Sequence, residues 1–267
     1  MNRMSYSIIV TVYNDEQFLT KCFDAITKQT IKPIEIIVVD DNSTDNSSQI
    51  IEKYNFTKIF SDEPKHKDRW LNRVRAFKLG LKSLTVQTDL ILKIDSDIII
   101  PPDYSEKLIK HFKNESILAA ASGVQDQNRF HPLPRNGAII YQKKAIDNIK
   151  KIKEVYAWDR WILLTFLEKG YILFVDDSIT YTELRTSILS NKEAFKAGTV
   201  RRREHYPLNV VLKQALFQGG FKSLYFIYGY LTGAGPERHS RDFIREYIKN
   251  EEKERMKYIR KHLEAEK

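Results

Sequence analysis

The segment SIIVTVYNDEQFLTKCFDAITKQTIKPIEIIVVDDNSTDNS, residues Ser7–Ser47, carries the clearest structural pattern in this chain. An apolar run of strand length covers Tyr6–Asn14, and the residues after it place apolar side chains at helical spacing. A second apolar run covers Ile34–Val39, and a polar turn at Asp41–Asp45 offers several N-caps for another helix. Such apolar strands, separated by helices, predict a parallel sheet that is covered on both faces.

The same alternation continues through the middle of the chain. Further strands are predicted at 57–61, 90–97, 116–125, 136–146 and 172–177, with helices at 68–84 and 159–169. The chain of 267 residues is long enough to form one α/β domain with an extension.

Three of the predicted strands end in polar clusters, at Thr11–Asp15, Asp40–Asp45 and Asp95–Asp97. The carboxyl ends of parallel strands meet at one edge of the sheet, and ligands of such sheets bind in the crevice there. We therefore expect the three clusters to converge on one ligand site.

The run LILKIDSDIII, Leu90–Ile100, places Asp95 and Asp97 at the end of an apolar strand. Carboxylates two positions apart on an extended strand point the same way, and burying them unpaired is costly. Mg²⁺ and Mn²⁺ are typically held by one or two carboxylates together with substrate phosphates. The pair therefore predicts a metal–diphosphate site, and a solvated turn at the strand end is the alternative.

The segment Ser7–Ser47, followed by Asp95-Ser96-Asp97, resembles the nucleotide-sugar-binding half of family 2 glycosyltransferases. The resemblance covers roughly the first 185 residues. It implies an α/β fold of GT-A type: a Rossmann-like, mostly parallel central sheet flanked by helices, with a helical C-terminal extension. The catalytic domain would span 1–190, with its nucleotide-sugar half at about 1–100 and its acceptor half at about 101–190. A basic loop and helical extension would occupy 191–267.

The resemblance also implies roles for individual residues. Thr11, Tyr13 and Asp41 would surround the nucleobase and ribose, since an aromatic ring can stack on a base and a carboxylate can accept hydrogen bonds from it. Asp95 would contact the donor, and Asp95 with Asp97 would hold Mn²⁺ or Mg²⁺. Capping of the next helix is a purely structural alternative for Asp41.

Other positions match the family pattern less completely. Asp15 or Glu16 would assist at the nucleoside. Arg75 stands where the family often has an Arg-Asn pair near the nucleotide, but Ala76 replaces the Asn here, and a solvated helix face is the alternative.

The segment WDRW resembles the family's Glu-Asp pair, in which the aspartate is the general base. Asp159 would take the proton from the acceptor hydroxyl. Trp158 occupies the position of the glutamate. A carboxylate at a helix N-terminus also favours the helix dipole, which is the structural alternative. The third metal ligand stays open between Glu183, His205 and water.

The composition limits the partners. The net charge is +9, with no recognisable nucleic-acid module, which favours phosphate-bearing ligands or a membrane surface over nucleic acid. Cys22 is the only cysteine, which excludes an internal disulfide. The N-terminal residues lack a charged-then-apolar leader, so we expect a cytoplasmic protein, with the cytoplasmic membrane surface as a further location.

The aromatic segment Leu208–Leu231 is interrupted by Lys213 and Lys222 and is too polar to span a bilayer. Its aromatic residues and flanking charges suit a helix pair in the lipid headgroup region. Docking on the catalytic domain or in a homodimer is the alternative. Arg201–Arg203 would contact phosphate or lipid, and a charged, solvent-exposed helix is predicted at Arg241–Lys267.

The sequence therefore predicts a metal-dependent, inverting glycosyltransferase. It would move a sugar from a nucleoside diphosphate donor of UDP or GDP type to a hydroxyl of a glycan or lipid-linked acceptor. A non-catalytic nucleotide-sugar-binding module is the first alternative. A nucleotidyltransferase is the second, although the glycine-free segment VYNDEQFL does not suit a triphosphate loop.

Overall fold

The computed structural model describes residues 4–114, 118–125, 131–134, 136–185, 190–216 and 219–265. The strands are β1 (Tyr6–Val12), β2 (Glu35–Asp40), β3 (Thr57–Phe60), β4 (Leu90–Asp95), β5 (Ile98–Ile99), β6 (Leu118–Val124), β7 (Ala138–Gln142), β8 (Ile172–Thr180) and β9 (Thr182–Glu183). The helices are α1 (Glu16–Thr27), α2 (Ser47–Ile51), α3 (Arg69–Lys82), α4 (Tyr104–Asn114), α5 (Lys143–Asp147), α6 (Trp158–Glu168), α7 (Asn191–Arg203), α8 (Leu208–Leu216), α9 (Gly220–Thr232) and α10 (Arg241–Ala265).

A seven-stranded sheet forms the centre of the first part of the chain, in the order β3-β2-β1-β4-β7-β6-β8. Its pairs are parallel except where β7 lies between β4 and β6. The predicted α/β fold with a mostly parallel, helix-flanked sheet is confirmed. A two-stranded sheet of β5 and β9 lies beside it.

The strand order changes direction at β1, which pairs with β2 on one side and β4 on the other. This is the topological switch point at which ligands of open α/β sheets bind. The register aligns Thr11 with Asp95 across one pair and Val12 with Asp40 across the other. All three polar clusters predicted to converge therefore meet at the end of β1.

The predicted strand at the N-terminus is two residues too long at its end. β1 stops at Val12, and Asn14 has a left-handed backbone conformation with φ of 50°. Similarly, β4 stops at Asp95, so Ser96 and Asp97 form a turn before β5. Asp95 and Asp97 therefore do not share a fully extended strand as predicted.

The central strands β1, β4, β6 and β7 of the sheet are buried, whereas the edge strands β3 and β8 are partly exposed. In β1 and β4 the apolar side chains are almost completely inaccessible, as parallel strands of this kind require. Lys93 is the exception in β4, with only 2% of its surface exposed. Its charge has to be compensated inside the protein.

The chain divides into two compact units, Met1–Thr186 and Ser187–Lys267. The second unit contains α7, α8, α9 and α10. Its first segment, Asn191–Arg203, forms a helix with a capping box at Ser190, whereas a basic loop was predicted there. Among the described residues, no helix combines the length and the hydrophobicity needed to cross a membrane.

Candidate active site

A cavity of about 310 Å³ opens at the carboxyl ends of the strands beside the switch point. Its walls come from the ends of β1, β2 and β4, from α3 and the residues before it, and from the segment after β9. The residues that line it are Thr11, Val12, Tyr13, Asn14, Asp15, Asp41, Lys65, Arg69, Asn72, Arg73, Ala76, Asp95, Ser96, Asp97 and Arg185.

An acidic cluster forms one wall of this cavity. The carboxylate of Asp15 is buried and accepts hydrogen bonds from the Ser96 hydroxyl and the Arg185 guanidinium. Nε of Arg185 also lies 3.2 Å from Oδ2 of Asp97. One guanidinium group, only about a third exposed, thus bridges two carboxylates that come from different loops.

Asp95 has its own cation. The ammonium group of Lys93 forms an ion pair with Oδ1 of Asp95 and donates hydrogen bonds to the backbone oxygen and Oδ1 of Asn136, at 2.8 and 3.1 Å. Lys93 and Asp95 lie two positions apart in β4, so both side chains leave the same face of the sheet. The buried ammonium group of Lys93 is therefore fully hydrogen-bonded, and it holds the first carboxylate of the Asp-Ser-Asp motif.

The surroundings of Asp97 change its ionisation. Burial and the charge of Asp95 raise the pKa of Asp97 above the usual value, although Arg185 opposes this. The buried thiol of Cys22 lies beneath the cluster, 3.8 Å from the backbone oxygen of Asp95. Its pKa is raised by burial and by the charges of Asp97, Asp95 and Asp15, which shows how closely the three carboxylates converge.

The two aspartates that follow one another at the end of β2 have different roles. Asp40 is buried and accepts hydrogen bonds from the backbone of Ser43 at 2.9 Å and the hydroxyl of Ser48 at 2.5 Å. It therefore stabilises the turn and the helix that follow. Asp41 instead lines the cavity, and the N-cap residue of α2 is Asn46 with no side-chain capping hydrogen bond, so the capping role considered for Asp41 is wrong.

Asp41 and Tyr13 share a cation at the cavity wall. Nζ of Lys65 lies 2.6 Å from the Asp41 carboxylate and 3.3 Å from the centre of the Tyr13 ring. Burial nevertheless raises the pKa of Asp41 above its usual value, because desolvation outweighs the lysine. Tyr13 is about half exposed, so its ring can meet a planar ligand group.

One face of α3 supplies the basic wall. Asn72, Arg73 and Ala76 follow Arg69 by three, four and seven residues, which places all four on the same side of the helix. Arg75 lies two positions after Arg73 and points elsewhere: its Nε is 3.0 Å from Glu154 and 3.4 Å from Glu63. Arg75 is therefore not one of the described residues that line the cavity.

Asp159 stands in the first turn of α6, half-buried. It is not among the described residues that line the cavity, but the charges of Asp159 and Asp95 both act on the buried hydroxyl of Tyr141. Burial is the main cause of the raised pKa of Tyr141, and these two carboxylates add to it. Both carboxylates therefore lie in the neighbourhood of Tyr141.

The backbone before Asp159 is strained. Ala157 adopts a left-handed conformation with φ of 53°, which is costly for a residue with a Cβ atom. Trp158, which occupies the position of the family's glutamate, is 2% exposed and stacks on Phe77 at 5.1 Å between ring centres. The tryptophan therefore anchors the start of α6 in the core.

The carboxylates fit a divalent metal that is shared with a diphosphate. The ion pairs described above use Oδ1 of Asp95 and Oδ2 of Asp97, so the second oxygen of each is available as a ligand. The like-charge repulsion that raises the pKa of Asp97 would be relieved by such a cation. Within the described ranges no group of three or more His, Cys, Asp or Glu side chains could hold a metal alone.

The two residues predicted as a third metal ligand belong to different parts of the chain. Glu183 belongs to β9, opposite Ile98 of β5. His205 belongs to the second unit, where its Nε2 lies 3.0 Å from Glu237.

The structure brings together five predicted site residues: Thr11, Tyr13, Asp41, Asp95 and Asp97. The sequence analysis missed Lys93 and Arg185. Lysine inside an apolar strand, two positions before an aspartate, was a usable signal for Lys93. Arg185 had no such signal, because it is distant in sequence from both carboxylates that it binds.

Comparisons with known proteins agree with this geometry. Residues 7–169, more than half of the chain, match the model of glycosyl transferase family 2. Glycosyltransferase GlyA of Streptococcus pneumoniae is 30% identical over 159 residues, which are 56% of this chain and 21% of that protein. Putative glycosyltransferase EpsH of Bacillus subtilis is 34% identical over 122 residues, 44% of this chain and 33% of that protein. The chain thus covers a third or less of the length of these two relatives.

Solved structures share the fold. Mannosyltransferase PcManGT of Pyrobaculum calidifontis, solved with GDP-Man and Mn²⁺, gives a TM-score of 0.61 at 16% identity, over 93% of this chain and 75% of that one. Staphylococcus aureus TarS residues 1–349, solved with UDP, gives 0.58 at 18% identity, over 92% and 71%. These likenesses confirm the fold of GT-A type. Together with the family match, they show that this chain belongs to glycosyl transferase family 2.

Proposed function

We propose that the chain transfers a sugar from a nucleoside diphosphate sugar to an acceptor hydroxyl. The observation that carries the proposal is the convergence of three strand ends on one cavity at the switch point, with two carboxylates and several cations in its walls. The solved relatives bound to GDP-Man or UDP-GlcNAc support a donor of this class.

The nucleoside would lie against Tyr13 and Asp41. The exposed tyrosine ring suits stacking on a base, and Asp41 suits a base N–H or a ribose hydroxyl. Lys65 covers part of the Tyr13 ring and would move aside or turn to the phosphates. Thr11 would line the floor beside Asp95, with which it is aligned across the sheet.

The diphosphate would bind among Asp95, Asp97 and the cations of the cavity. Mn²⁺ or Mg²⁺, when bound, would supply positive charge that stabilises the departing nucleoside diphosphate. Lys93 would keep Asp95 oriented. Arg185, which bridges Asp15 and Asp97, would hold the second carboxylate in place.

Asp159 would act as the general base. It would take the proton from an acceptor hydroxyl while that oxygen forms a bond to the anomeric carbon. The bond from the anomeric carbon to the phosphate oxygen would break, and its electron pair would leave with the nucleoside diphosphate. One direct displacement of this kind inverts the configuration of the anomeric carbon.

The acceptor would be a glycan or a lipid-linked molecule. Contact with the periphery of a membrane, at its cytoplasmic surface, is part of the same proposal, and formation of a homodimer is the alternative. The exposed apolar side chains of α8 and α9 support a contact of one of these kinds.

One observation favours a second candidate, a binding module without turnover. Trp158 replaces the family's glutamate and is used for core packing, so Asp159 would lack its usual neighbour. Release of nucleoside diphosphate over time distinguishes the two candidates, since a binding module would hold the donor without consuming it.

The proposal is tested by a thermal-shift screen of UDP- and GDP-sugars with and without Mn²⁺. A ligand that binds the folded state raises the melting temperature by mass action. We expect at least one donor to raise the melting temperature of the wild type in the presence of Mn²⁺, and Asp41→Ala to weaken that shift. Asp62→Ala, which changes an acid outside the cavity lining, is the control. No shift with any donor would contradict the proposal.

A further inference from the structure

The second unit carries a stripe of exposed apolar side chains along α8 and α9. On α8 the stripe consists of Leu208, Leu212 and Leu216, four residues apart and therefore on one face of the helix. On α9 it continues with large side chains at helical spacing: Phe221, Leu224, Tyr225, Tyr228 and Leu231. Leu216 and Phe221 are 81% and 76% exposed. We name these eight residues the apolar stripe.

Other faces of the two helices are already packed. Val211 and Ala215 of α8 and Phe226 of α9 are buried. On α9, Gly229 lies against α7 so closely that a Cβ atom would stand 2.0 Å from the backbone oxygen of Phe195. The core of the second unit is therefore complete without the apolar stripe, which stays exposed on folding.

The charge of this unit is strongly positive. Ser187–Lys267 contains 17 Lys and Arg residues against 10 Asp and Glu residues. Between Ser190 and Thr232 there are seven basic residues and only two acids, Glu193 and Glu204, both of which are buried. The surface around the apolar stripe thus combines exposed hydrophobic groups with cations and no exposed acid in the described part of α7, α8 and α9.

A cationic cavity adjoins one end of the apolar stripe. It measures about 470 Å³ and is lined by Arg202, Arg203, Arg241 and Arg245. Pro207 and Tyr230 also line it, and these residues directly precede Leu208 and Leu231 of the apolar stripe. Glu237 supplies the only carboxylate among the described residues of the cavity wall, and it already pairs with His205. Guanidinium groups in this density suit phosphate.

We propose that the second unit binds the surface of a membrane that contains anionic phospholipids. The apolar stripe enters the boundary between headgroups and acyl chains, and the arginine-lined cavity receives lipid phosphate groups. This arrangement matches an amphiphile along its length: apolar contacts continue directly into a phosphate site. A second copy of the chain fits less well, because it would bring two acid-poor, cationic faces together.

The inference deepens the membrane contact in the proposed function by naming the lipid class and its headgroup site. It does not depend on the chemistry of transfer, since donor binding is measured in solution. Failure of vesicle binding with an intact donor shift would overturn only the inference. Failure of the donor shift with intact vesicle binding would overturn only the transferase proposal.

The test is flotation of the full chain with vesicles of phosphatidylcholine, with or without phosphatidylglycerol. We expect binding to the mixed vesicles, weakened by high salt because surface charges are screened. The variant Leu216→Ser/Phe221→Ser should bind at least about tenfold more weakly, because apolar contact is lost. Arg241→Glu should weaken binding about fivefold to tenfold through the lost cation and the added repulsion.

Matched control variants change the same kinds of residue elsewhere. Ile34→Ser removes an exposed apolar side chain from the first unit, and Lys249→Glu reverses an exposed charge on α10 outside the cavity lining. Both should bind the mixed vesicles like the wild type. Because the altered side chains of the stripe are largely exposed, unchanged melting temperatures should show that these variants fold.

Three results would overturn the inference. The first is equal binding of all variants to both kinds of vesicle. The second is a dimer in light scattering that Leu216→Ser/Phe221→Ser dissociates, without vesicle binding, which would assign the apolar stripe to a second copy. The third is a thermal shift with glycerol phosphate that Arg241→Glu abolishes, again without vesicle binding, which would make the cavity a site for a soluble phosphate.

Discussion

The two units of this chain use their charged and apolar residues in opposite ways. In Met1–Thr186, charged groups are drawn into the interior around one cavity, and the buried carboxylates of Asp15, Asp41 and Asp97 each have a cation beside them. In Ser187–Lys267, most of the described charged side chains lie outside, with Glu193, Glu204 and Arg238 as buried exceptions, and a row of large apolar side chains is exposed with them.

The difference shows what each unit needs for binding. A small charged donor is held by groups that are desolvated and positioned before it arrives, which strengthens their interactions with it. Binding to an extended surface requires a large contact area rather than a deep cavity. The apolar side chains that make this contact therefore have to be accessible in the free protein. Four changes would break or sharpen this contrast.

The largest effect is expected at the predicted base. Asp159→Asn should lower donor turnover by about 10²–10⁴-fold, because an amide cannot accept the proton from the acceptor. Donor binding should be unchanged, since Asp159 is not among the described residues that line the cavity. Release of nucleoside diphosphate measures turnover, and the thermal shift measures binding.

Asp147→Asn is the control for this prediction, because Asp147 forms an exposed pair with Lys143 within one helix turn. Turnover of Asp159→Asn equal to that of the wild type would remove Asp159 from the mechanism.

The second test concerns the buried pair of Lys93 and Asp95. Lys93→Met should lower the free energy of unfolding by about 3 kcal/mol, because Asp95 would lose the cation that compensates it. The double variant Lys93→Met/Asp95→Asn should be more stable than the sum of the single changes predicts, by about 1–3 kcal/mol. Denaturant unfolding measures all three variants.

Lys107→Met is the matched control, since Lys107 pairs with Asp103 at the surface. It should cost less than about 1 kcal/mol. Additive effects of the Lys93 and Asp95 substitutions would show that the two groups do not interact.

The third test compares glycines of the two units. A Cβ atom at Gly198 of α7 would stand 1.9 Å from the backbone oxygen of Phe226, so the helices α7 and α9 would have to separate. Gly198→Ala should therefore cost about 2 kcal/mol in unfolding free energy, an overpacking effect. At Gly80 of α3 the nearest atom is a methyl group of Ile9, at 2.6 Å, which can shift.

Gly80→Ala should consequently cost less than Gly198→Ala, because the methyl group of Ile9 can shift, while the gain in helix propensity is the same for both alanines. Thermal unfolding of both variants measures the difference. The reverse order would mean that α7 and α9 are less closely packed than the sheet and α3.

The smallest effect concerns the stability of the acidic cluster. The pKa of Asp97 is raised in the folded protein, so its ionised form costs stability at every pH above that value. Asp97→Asn should therefore raise the unfolding free energy at neutral pH, by about 1 kcal/mol at most because Arg185 loses a partner. The Mn²⁺-dependent part of the donor shift should disappear in the same variant.

The pH dependence tests the sign of this change in unfolding free energy. The stability gain of Asp97→Asn should vanish as the pH falls to about 4, where the aspartate of the wild type is protonated too. A variant that is less stable than the wild type at neutral pH would mean that the pair with Arg185 outweighs burial. Melting curves from acid to neutral pH decide between these outcomes.

Much of the fold could be predicted from local pattern. Apolar runs of strand length and helical spacing identified β1, α1, β2 and β4, and the rule for parallel sheets placed their polar ends together. The ends of the strands were less predictable, because the left-handed backbone of Asn14 and the turn at Ser96 depend on contacts with other loops. The helix α7 was missed because its amphipathic pattern is weak and its basic residues suggested a loop.

The candidate site divides in the same way. Thr11, Tyr13, Asp41, Asp95 and Asp97 are local features of strand ends, and the cavity contains all of them. Asp41 was predicted to be the aspartate at the end of β2 that belongs to the candidate ligand site, and it lines the cavity. The role of Asp40 in the turn was not predicted. The position of Arg75 beside Glu154 could not be read from its own helix, because it depends on a residue 79 positions away.

The sequence by itself determined the strand–helix alternation, the polar strand ends and the family pattern, because each of these is written in neighbouring residues. Only the tertiary structure decided which cation meets which carboxylate: Lys93 for Asp95, Arg185 for Asp15 and Asp97, and Lys65 for Asp41. Burial makes such pairing compulsory, but many basic residues were available for it. Their selection follows from how the chain folds in space, which spacing along the sequence does not encode.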